Sequence, residues 1–328
     1  MAAEAEPPQE AGLRRAFGRY RVTDLRNSAV LLSLLLLFVL LSLFVENFLS
    51  SDNLKNVLDQ ATALGIIATA GTLVIVSGAF DLSVGAIFAM SGVVAAELAT
   101  HGVGVELSLL AGIASGAVLG LVNGLFVSGV RLNPFIATLA TSIVIRGMAL
   151  AITGGNLITV DAEGFDSIGS NQLLTINLSS WIFIGWALLM GFLLWRTVLG
   201  RYIRACGGNE QAARLSGVRV GGVRTTAFVL SGLAAGLAGV LSASEISTGQ
   251  ADVGVGLELN AVAAIVVGGT SIRGGEGAVW RTMVGVFLLA LIGNGFNLLE
   301  IDSVYQQVVY GGIILLAASV DARLRRRV

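Results

Sequence analysis

The chain has 328 residues, of which 55% are hydrophobic and 12% are charged, with a net charge of −1. A soluble domain carries about 25% charged residues, so the composition excludes an ordinary soluble protein as well as a disordered one. The near-zero net charge argues against a nucleic-acid partner. One Cys and one His exclude a disulfide and a two-His zinc motif. Lys55, the one Lys, follows Asn-Leu, so the chain lacks an ATP-binding P-loop.

Ten apolar stretches with almost no charge follow one another along the chain. In order they cover residues 27–45, 60–80, 82–96, 107–130, 132–160, 167–195, 225–244, 259–272, 282–300 and 303–320. About 20 apolar residues cross the bilayer core. The third and eighth stretches are short, which is typical of tilted helices or of broken helices that line a cavity. The predicted fold class is an all-α integral membrane protein with about ten transmembrane helices.

The distribution of basic residues predicts the orientation, because Lys and Arg are enriched on the cytoplasmic side. With the N-terminus inside and ten crossings, 18 of the 20 Lys and Arg residues lie inside, and only Lys55 and Arg146 do not. Both termini are then cytoplasmic. The chain divides into an N-terminal tail (residues 1–28), a polytopic membrane domain (29–320) and a basic C-terminal tail (321–328). A long inner loop covers about residues 197–224.

Two ionisable residues near the membrane interior are candidates for a translocation path, because buried charges in a bilayer are costly. Asp81 lies between two apolar stretches, where it faces a path or caps the following helix; we favour the cap. Arg146 interrupts an apolar stretch. It pairs with a carboxylate, contacts a polar solute, or extends toward the outer interface.

Neutral polar residues give further path candidates at helical spacing. Thr138 and Thr141 share one helix face, as do Asn294 and Asn297 on another. Such faces suit hydrogen bonds to a sugar-like solute, and they equally suit hydrogen bonds between neighbouring helices, which is the more common role.

Glycines recur every four residues on two predicted spans, a spacing that allows helix backbones to approach closely. The residues are Gly112, Gly116, Gly120, Gly124, Gly232 and Gly236. We predict that they pack helices within one subunit, with a dimer interface as the alternative.

A short helix is predicted in the inner loop at N-E-Q-A-A-R-L-S-G, residues 209–217. Asn209 is a good N-cap, Glu210 faces the positive end of the helix dipole, and Gly217 terminates the helix. A capped helix in a cytoplasmic loop lies on the membrane, docks on a partner, or is an idle surface helix.

Five segments in order, which together span about residues 45–320, resemble the monosaccharide permeases of the ribose, xylose and galactose type, which are ABC importers. They are V-I-V-S-G-A-F-D-L-S-V-G-A-I (74–87), N-P-F-I-A-T-L-A-T (133–141), L-G-R-Y-I-R-A-C-G-G-N-E-Q-A-A-R-L-S-G-V (199–218), L-N-A-V-A-A-I-V-V-G-G-T-S-I-R-G-G-E-G (259–277) and G-N-G-F-N-L-L (293–299). The inner helix is similar to the E-A-A coupling helix of ABC permeases, with Gln211 interposed.

The resemblance implies a permease of the bacterial plasma membrane that is not itself an enzyme. It implies a homodimer or a heterodimer of paralogues, a cytoplasmic ATP-binding-cassette ATPase that uses ATP and Mg, and an extracytoplasmic sugar-binding protein. No cofactor is expected in this chain. The implied coupling residues, with Ala212 and Ala213 at the closest approach to the ATPase, are Asn209, Glu210, Ala212, Ala213, Arg214, Leu215 and Gly217.

Other transport functions remain alternatives. One is an ion-coupled secondary transporter, for which Asp81 is the candidate titratable residue. The others are permeases of the same family for nucleosides, an autoinducer or branched-chain amino acids.

Overall fold

The computed structural model describes residues 30–325, so the predicted tail of residues 1–28 and the last residues, 326–328, lie outside the described residues. The helices are α1 (Val30–Phe44), α2 (Ser51–Val76), α3 (Val84–Thr100), α4 (Val105–Ser128), α5 (Pro134–Thr153), α6 (Ser167–Ser170), α7 (Leu178–Arg196), α8 (Val198–Gly208), α9 (Glu210–Leu215), α10 (Val220–Glu245), α11 (Leu257–Val267), α12 (Val279–Leu298) and α13 (Ser303–Arg325). The strands are β1 (Ile158–Thr159), β2 (Gln172–Leu173), β3 (Ile176–Asn177) and β4 (Thr248–Gly249).

Six of these helices are long and apolar enough to cross a membrane: α2, α4, α5, α7, α10 and α12. Helices α1, α3 and α11 are apolar but shorter. A helical, multi-pass membrane protein is therefore confirmed, whereas the number of ten crossings and the position of the termini stay predictions. Each predicted apolar stretch contains one long helix or part of one, the stretch 167–195 also contains α6, and α13 continues into residues 321–325 of the predicted C-terminal tail.

Two helix boundaries differ from the prediction for local reasons. Helix α2 begins at Ser51, well before residue 60, because the side chain of Ser50 accepts the amide hydrogen of Asn53 and caps a polar first turn. Helix α7 begins only at Leu178. The preceding residues form α6 and the β2–β3 hairpin, in which Gln172 pairs with Asn177.

The connecting segments gather at two ends of the helix bundle. The arginine end holds α8, α9 and residues 268–278, with Arg201, Arg204, Arg214, Arg219 and Arg273. The acidic end holds residues 154–177 and 246–256, where β1 pairs antiparallel with β4 and Ile158 lies opposite Gly249. The two ends thus differ in charge, although Glu210 and Glu276 lie at the arginine end.

Glycines bring α4 and α10 into backbone contact. A Cβ on Gly116 would overlap the carbonyl oxygen of Gly232, and a Cβ on Gly120 would overlap that of Phe228. A Cβ on Gly112 would lie within 2.7 Å of the carbonyl oxygen of Ser91, on α3. The predicted use of these glycines, packing within the subunit, is confirmed.

Helices α3 and α11 are preceded by non-helical segments that run into the bundle from opposite ends. Residues 77–83 lead in from the arginine end, and residues 250–256 lead in from the acidic end. The 11 residues of α11 span about 16 Å, roughly half of the ~30 Å hydrocarbon core. The starts of α3 and α11 touch, because a Cβ on Gly85 would overlap both the carbonyl oxygen of Gly254 and the carboxylate of Glu258. The hypothesis of broken helices fits this arrangement.

We expect Gly120→Ala to lower the thermal midpoint of the purified protein, because its Cβ meets rigid backbone and overpacking costs about 1–3 kcal/mol. Gly147→Ala on α5 is the matched control, since no atom lies within 4 Å of its added Cβ. That variant should be neutral or slightly stabilising, as Ala is the better helix former. Equal midpoints for the two variants, measured by thermal unfolding in detergent, would contradict the packing role.

Candidate functional site

Asp81 accepts three hydrogen bonds in the interior of the bundle, where it is 7% exposed. Its Oδ1 accepts from the backbone N of Ser83 at 3.0 Å and from the Ser83 hydroxyl at 2.5 Å. Its Oδ2 accepts from the hydroxyl of Ser231, on α10, at 2.8 Å. Asp81 therefore orders the segment that leads into α3, but it is not the N-cap that we favoured, because that position belongs to Ser83.

The network continues through α4 to α5. Nδ2 of Asn123 donates to the Ser83 hydroxyl at 2.7 Å, and the Thr141 hydroxyl donates to Oδ1 of Asn123 at 2.6 Å. The Thr138 hydroxyl accepts the amide hydrogen of Leu82 at 3.0 Å. Three predicted path residues, Asp81, Thr138 and Thr141, thus belong to one network that fixes residues 81–83 against three helices.

Little space is open beside this network. The cavity between the starts of α3 and α11, next to Asp81 and Glu258, has a volume of about 10 Å³. One water molecule needs about that much, so a sugar cannot pass here in this conformation. A larger groove of about 410 Å³ runs along α4 and α5 and is apolar except for Asn123 and Thr141.

Arg146 binds residues 250–256, the non-helical segment that precedes α11. Its Nη1 donates to the carbonyl oxygens of Ala251 and Val253 at 2.6 and 2.5 Å. Asp252 and Glu258 are near enough to interact with its charge. The side chain is half-buried and anchors residues 250–256 to α5, whereas its extension to the outer interface stays a prediction.

The two predicted asparagines have different environments. Asn294 is buried and exchanges two hydrogen bonds with Asn53 on α2, at 2.7 and 3.1 Å. Asn297 is exposed near the acidic end. Asn294 therefore joins α2 to α12, and these two residues do not form one polar face.

The predicted helix in the inner loop is confirmed as α9. Oδ1 of Asn209 accepts the amide hydrogen of Ala212 at 2.9 Å. At the other end Gly217 has a φ of +81°, with hydrogen bonds from its amide to Arg214 and from that of Val218 to Ala213. This is the Schellman arrangement, which requires a left-handed residue and so favours glycine.

The two alanines of α9 face opposite ways. Ala213 is 5% exposed and packs in the main hydrophobic core, so it does not form the closest approach to a partner, contrary to our expectation. Ala212 is exposed, and Leu215 is 84% exposed. Sequence alone could not assign these faces, because a helix of six residues is too short for a reliable apolar period.

Glu210 is paired within the chain. It lies 2.6 Å from Nη2 of Arg214 and 2.8 Å from Nη2 of Arg224. The hydrogen bond from Arg214, with further help from Arg224, lowers the pKa of Glu210 despite partial burial. A lowered pKa stabilises the fold above the ordinary Glu pKa, and this contribution is lost only as the pH falls through the lowered value. The pairing is therefore complete at neutral pH.

Comparison with known proteins places the chain in a family. Residues 53–318 match the family described as branched-chain amino acid transport system, permease component. The chain belongs to this permease family.

Several full-length relatives of this permease are named for sugars. The L-arabinose ABC transporter permease protein AraH of Azospirillum brasilense is 38% identical over 98% of this chain and 95% of its own. The ribose import permease protein RbsC of Escherichia coli K12 is 39% identical over 89% of this chain and 92% of its own. The D-allose transport system permease protein AlsC of the same strain is 36% identical over 85% and 86%. No solved structure matches the chain.

Sequence reasoning missed three members of the permease's interior network: Ser83, Asn123 and Ser231. Asn123 carried a usable signal, because it is an isolated amide in an apolar span. Ser83 lies two residues after Asp81, a spacing at which a carboxylate can bind a nearby backbone amide and hydroxyl. Ser231 carried no signal, since Ser is common in membrane helices and its partner Asp81 lies on a distant segment.

We expect Asn294→Leu to destabilise the permease by about 1–3 kcal/mol, because it leaves the side-chain carbonyl of Asn53 buried without a donor. Asn297→Leu is the control on the same helix, and its exposed side chain should change little. Thermal unfolding in detergent distinguishes them. A path role without a structural one would instead leave both midpoints at the wild-type value.

Proposed function

We propose that the chain is the membrane-spanning subunit of an ATP-binding-cassette importer that carries a monosaccharide across a bacterial plasma membrane. The observation that carries this proposal is the agreement of the relatives. Their names specify arabinose, ribose and allose, and each of them aligns with at least 85% of this chain. The family description names branched-chain amino acids, but these relatives favour a sugar.

ATP hydrolysis, in this proposal, belongs to a separate cytoplasmic ATPase that binds ATP and Mg. An extracytoplasmic binding protein delivers the sugar. Two permease subunits, identical or paralogous, form the path between them. Membrane lipid contacts the exposed apolar faces of α4 and α5. Only 28% of the apolar 18-residue stretch of α4, and 22% of that of α5, is buried within the chain.

The surface of α9 supports this division of roles. Leu215 and Ala212 present an apolar face at the arginine end, whereas Glu210 is occupied by arginines of its own chain. An exposed leucine beside a small residue is suited to insertion into a groove of a partner. Asn209 and Gly217 fix the helix ends so that this face is held outward.

The candidate path residues shape the path in this proposal. Asn123 and Thr141 lie beside the groove between α4 and α5, but Asn123 is fully buried, and the two side chains bind each other and Ser83. Asp81, Thr138, Arg146 and Asn294 hold the helices and broken segments that shape the path. An ion-coupled transporter needs a titratable group exposed to the path, and Asp81 is instead enclosed by its hydroxyl donors.

We expect Leu215→Ser to reduce both copurification of the ATPase and sugar uptake about tenfold, since burial of a leucine side chain contributes about 1.5–3 kcal/mol. Leu174→Ser is the matched control. Leu174 is a similarly exposed leucine, at 77%, but lies at the acidic end. Unchanged ATPase copurification with Leu215→Ser would show that α9 is not the docking element, and absence of ATP-dependent uptake by the wild type would refute the proposed function.

We also expect both termini and the arginine end to be cytoplasmic, with ten crossings. Native Cys206 is a poor inner marker, because it is buried and desolvation raises the pKa of its thiol. In a Cys206→Ser background, Asp161→Cys should react with a membrane-impermeant thiol reagent in intact cells. Ser216→Cys should react only after permeabilisation, as both positions are exposed. The opposite pattern would reverse the orientation.

A further inference from the structure

Arg224, in the first turns of α10, connects α9 to residues 77–83, the non-helical segment that precedes α3. Its Nη2 lies 2.8 Å from Oε2 of Glu210, and its Nε donates to the carbonyl oxygen of Ser77 at 3.3 Å. The Arg224 side chain is only 17% exposed. A planar guanidinium with several fixed donors can hold both groups at once, which a lysine cannot.

Three chain segments meet beside Arg224 without intervening side chains. Their contact residues, which we call the glycine junction, are Gly78, Gly207, Gly274 and Gly275. The amide of Gly275 donates to the carbonyl oxygen of Val76 at 2.8 Å. A Cβ on Gly207 would overlap that same oxygen. The end of α8 thus rests directly on the backbone at the end of α2.

Backbone contact of this kind transmits displacement with little loss, because no flexible side chain can absorb it. The junction adjoins residues 77–83, which lead to Asp81 and its network. A movement of α8 and α9 must therefore either carry this segment along or break the contacts of Arg224 and of the glycine junction.

We propose that Arg224 is a positioning residue that couples α9 to residues 77–83, with the glycine junction as its rigid support. The inference rests on the proposed function and adds to it the route by which a movement at the ATPase reaches the interior. The segment that moves is the one that carries Asp81.

Arg214 provides a matched comparison, because it also binds Glu210, through Nε at 3.1 Å and Nη2 at 2.6 Å. Arg214 lies four residues after Glu210 in α9, so the contact between them remains within that helix. Removing Arg214 weakens α9 alone, whereas removing Arg224 also frees the carbonyl of Ser77.

The first experiment needs no partner and measures hydrogen exchange of the full chain in lipid nanodiscs. Arg224→Ala should accelerate exchange both in residues 210–215 and in residues 77–83, and Arg214→Ala only in residues 210–215. Unchanged exchange of residues 77–83 in Arg224→Ala would overturn the proposal. Should that variant fail to fold, Arg224→Lys keeps the charge near Glu210 but carries all its donors on one nitrogen, which cannot replace both Nε and Nη2, and should show the same acceleration of residues 77–83.

The second experiment reconstitutes the permease with its ATPase and binding protein and measures sugar uptake per ATP hydrolysed. Arg224→Ala should retain the ATPase but lower this ratio about tenfold, as expected for the loss of one charge-assisted hydrogen bond. Gly207→Ala should act likewise, whereas Gly208→Ala should not, because the nearest atom to its Cβ is 4.0 Å away.

Failure of the proposed function and failure of this inference can be told apart. A wild-type complex without ATP-dependent uptake refutes the proposed function, and the hydrogen-exchange measurement still tests the coupling of α9 to residues 77–83. A functional wild type with an unchanged ratio in Arg224→Ala overturns the inference alone. A purely structural role for Arg224 would lower uptake and ATP hydrolysis in parallel and leave the ratio constant, which also overturns it.

Discussion

Backbone polar groups in the interior of a membrane must find partners within the protein, because lipid supplies no hydrogen bonds. Two segments of this chain, 77–83 and 250–256, leave helical geometry inside the bundle and so depend on side chains for those partners. The hydroxyl of Thr138 and the carboxylate of Asp81 accept amide hydrogens of the first segment. Arg146 donates to carbonyl oxygens of the second. The costly interior charges are thus explained by the broken helices that they stabilise.

The polar residues around the first of these segments bind one another. Asp81, Asn123 and their hydroxyl partners are satisfied by each other, which makes the broken segments part of the rigid bundle. The close α4–α10 contact at Gly116 and Gly120 stiffens the same region. In the proposed function, polar groups that are already satisfied suit a transporter that receives its substrate from a separate binding protein.

The sequence predicted most of the helices but few of the pairings. Apolar stretches and glycine spacing are local, so the helices α4 and α10 and the packing role of their glycines followed from residues 107–130 and 225–244, but the pairing of these two helices did not. The ends of α9 were also predictable, because Asn209 and Gly217 act within a single turn. Asn53 and Asn294 are 241 residues apart, and no local pattern indicates that their amides meet. The inward face of Ala213 likewise depends on packing with other helices and not on its neighbours in sequence.

The arginines at the arginine end also bind groups of their own chain. Arginines that served only to orient the chain in the membrane would need no such partner and could extend in any direction into the aqueous phase. Arg224 instead turns inward to Glu210 and to the carbonyl of Ser77, and Arg214 closes onto the same carboxylate. Because Glu210 is paired within the chain, α9 presents Leu215 and Ala212 to its surroundings beside the half-exposed side chain of Arg214. The ion pairs that hold α9 therefore also tie it to the backbone that leads to Asp81.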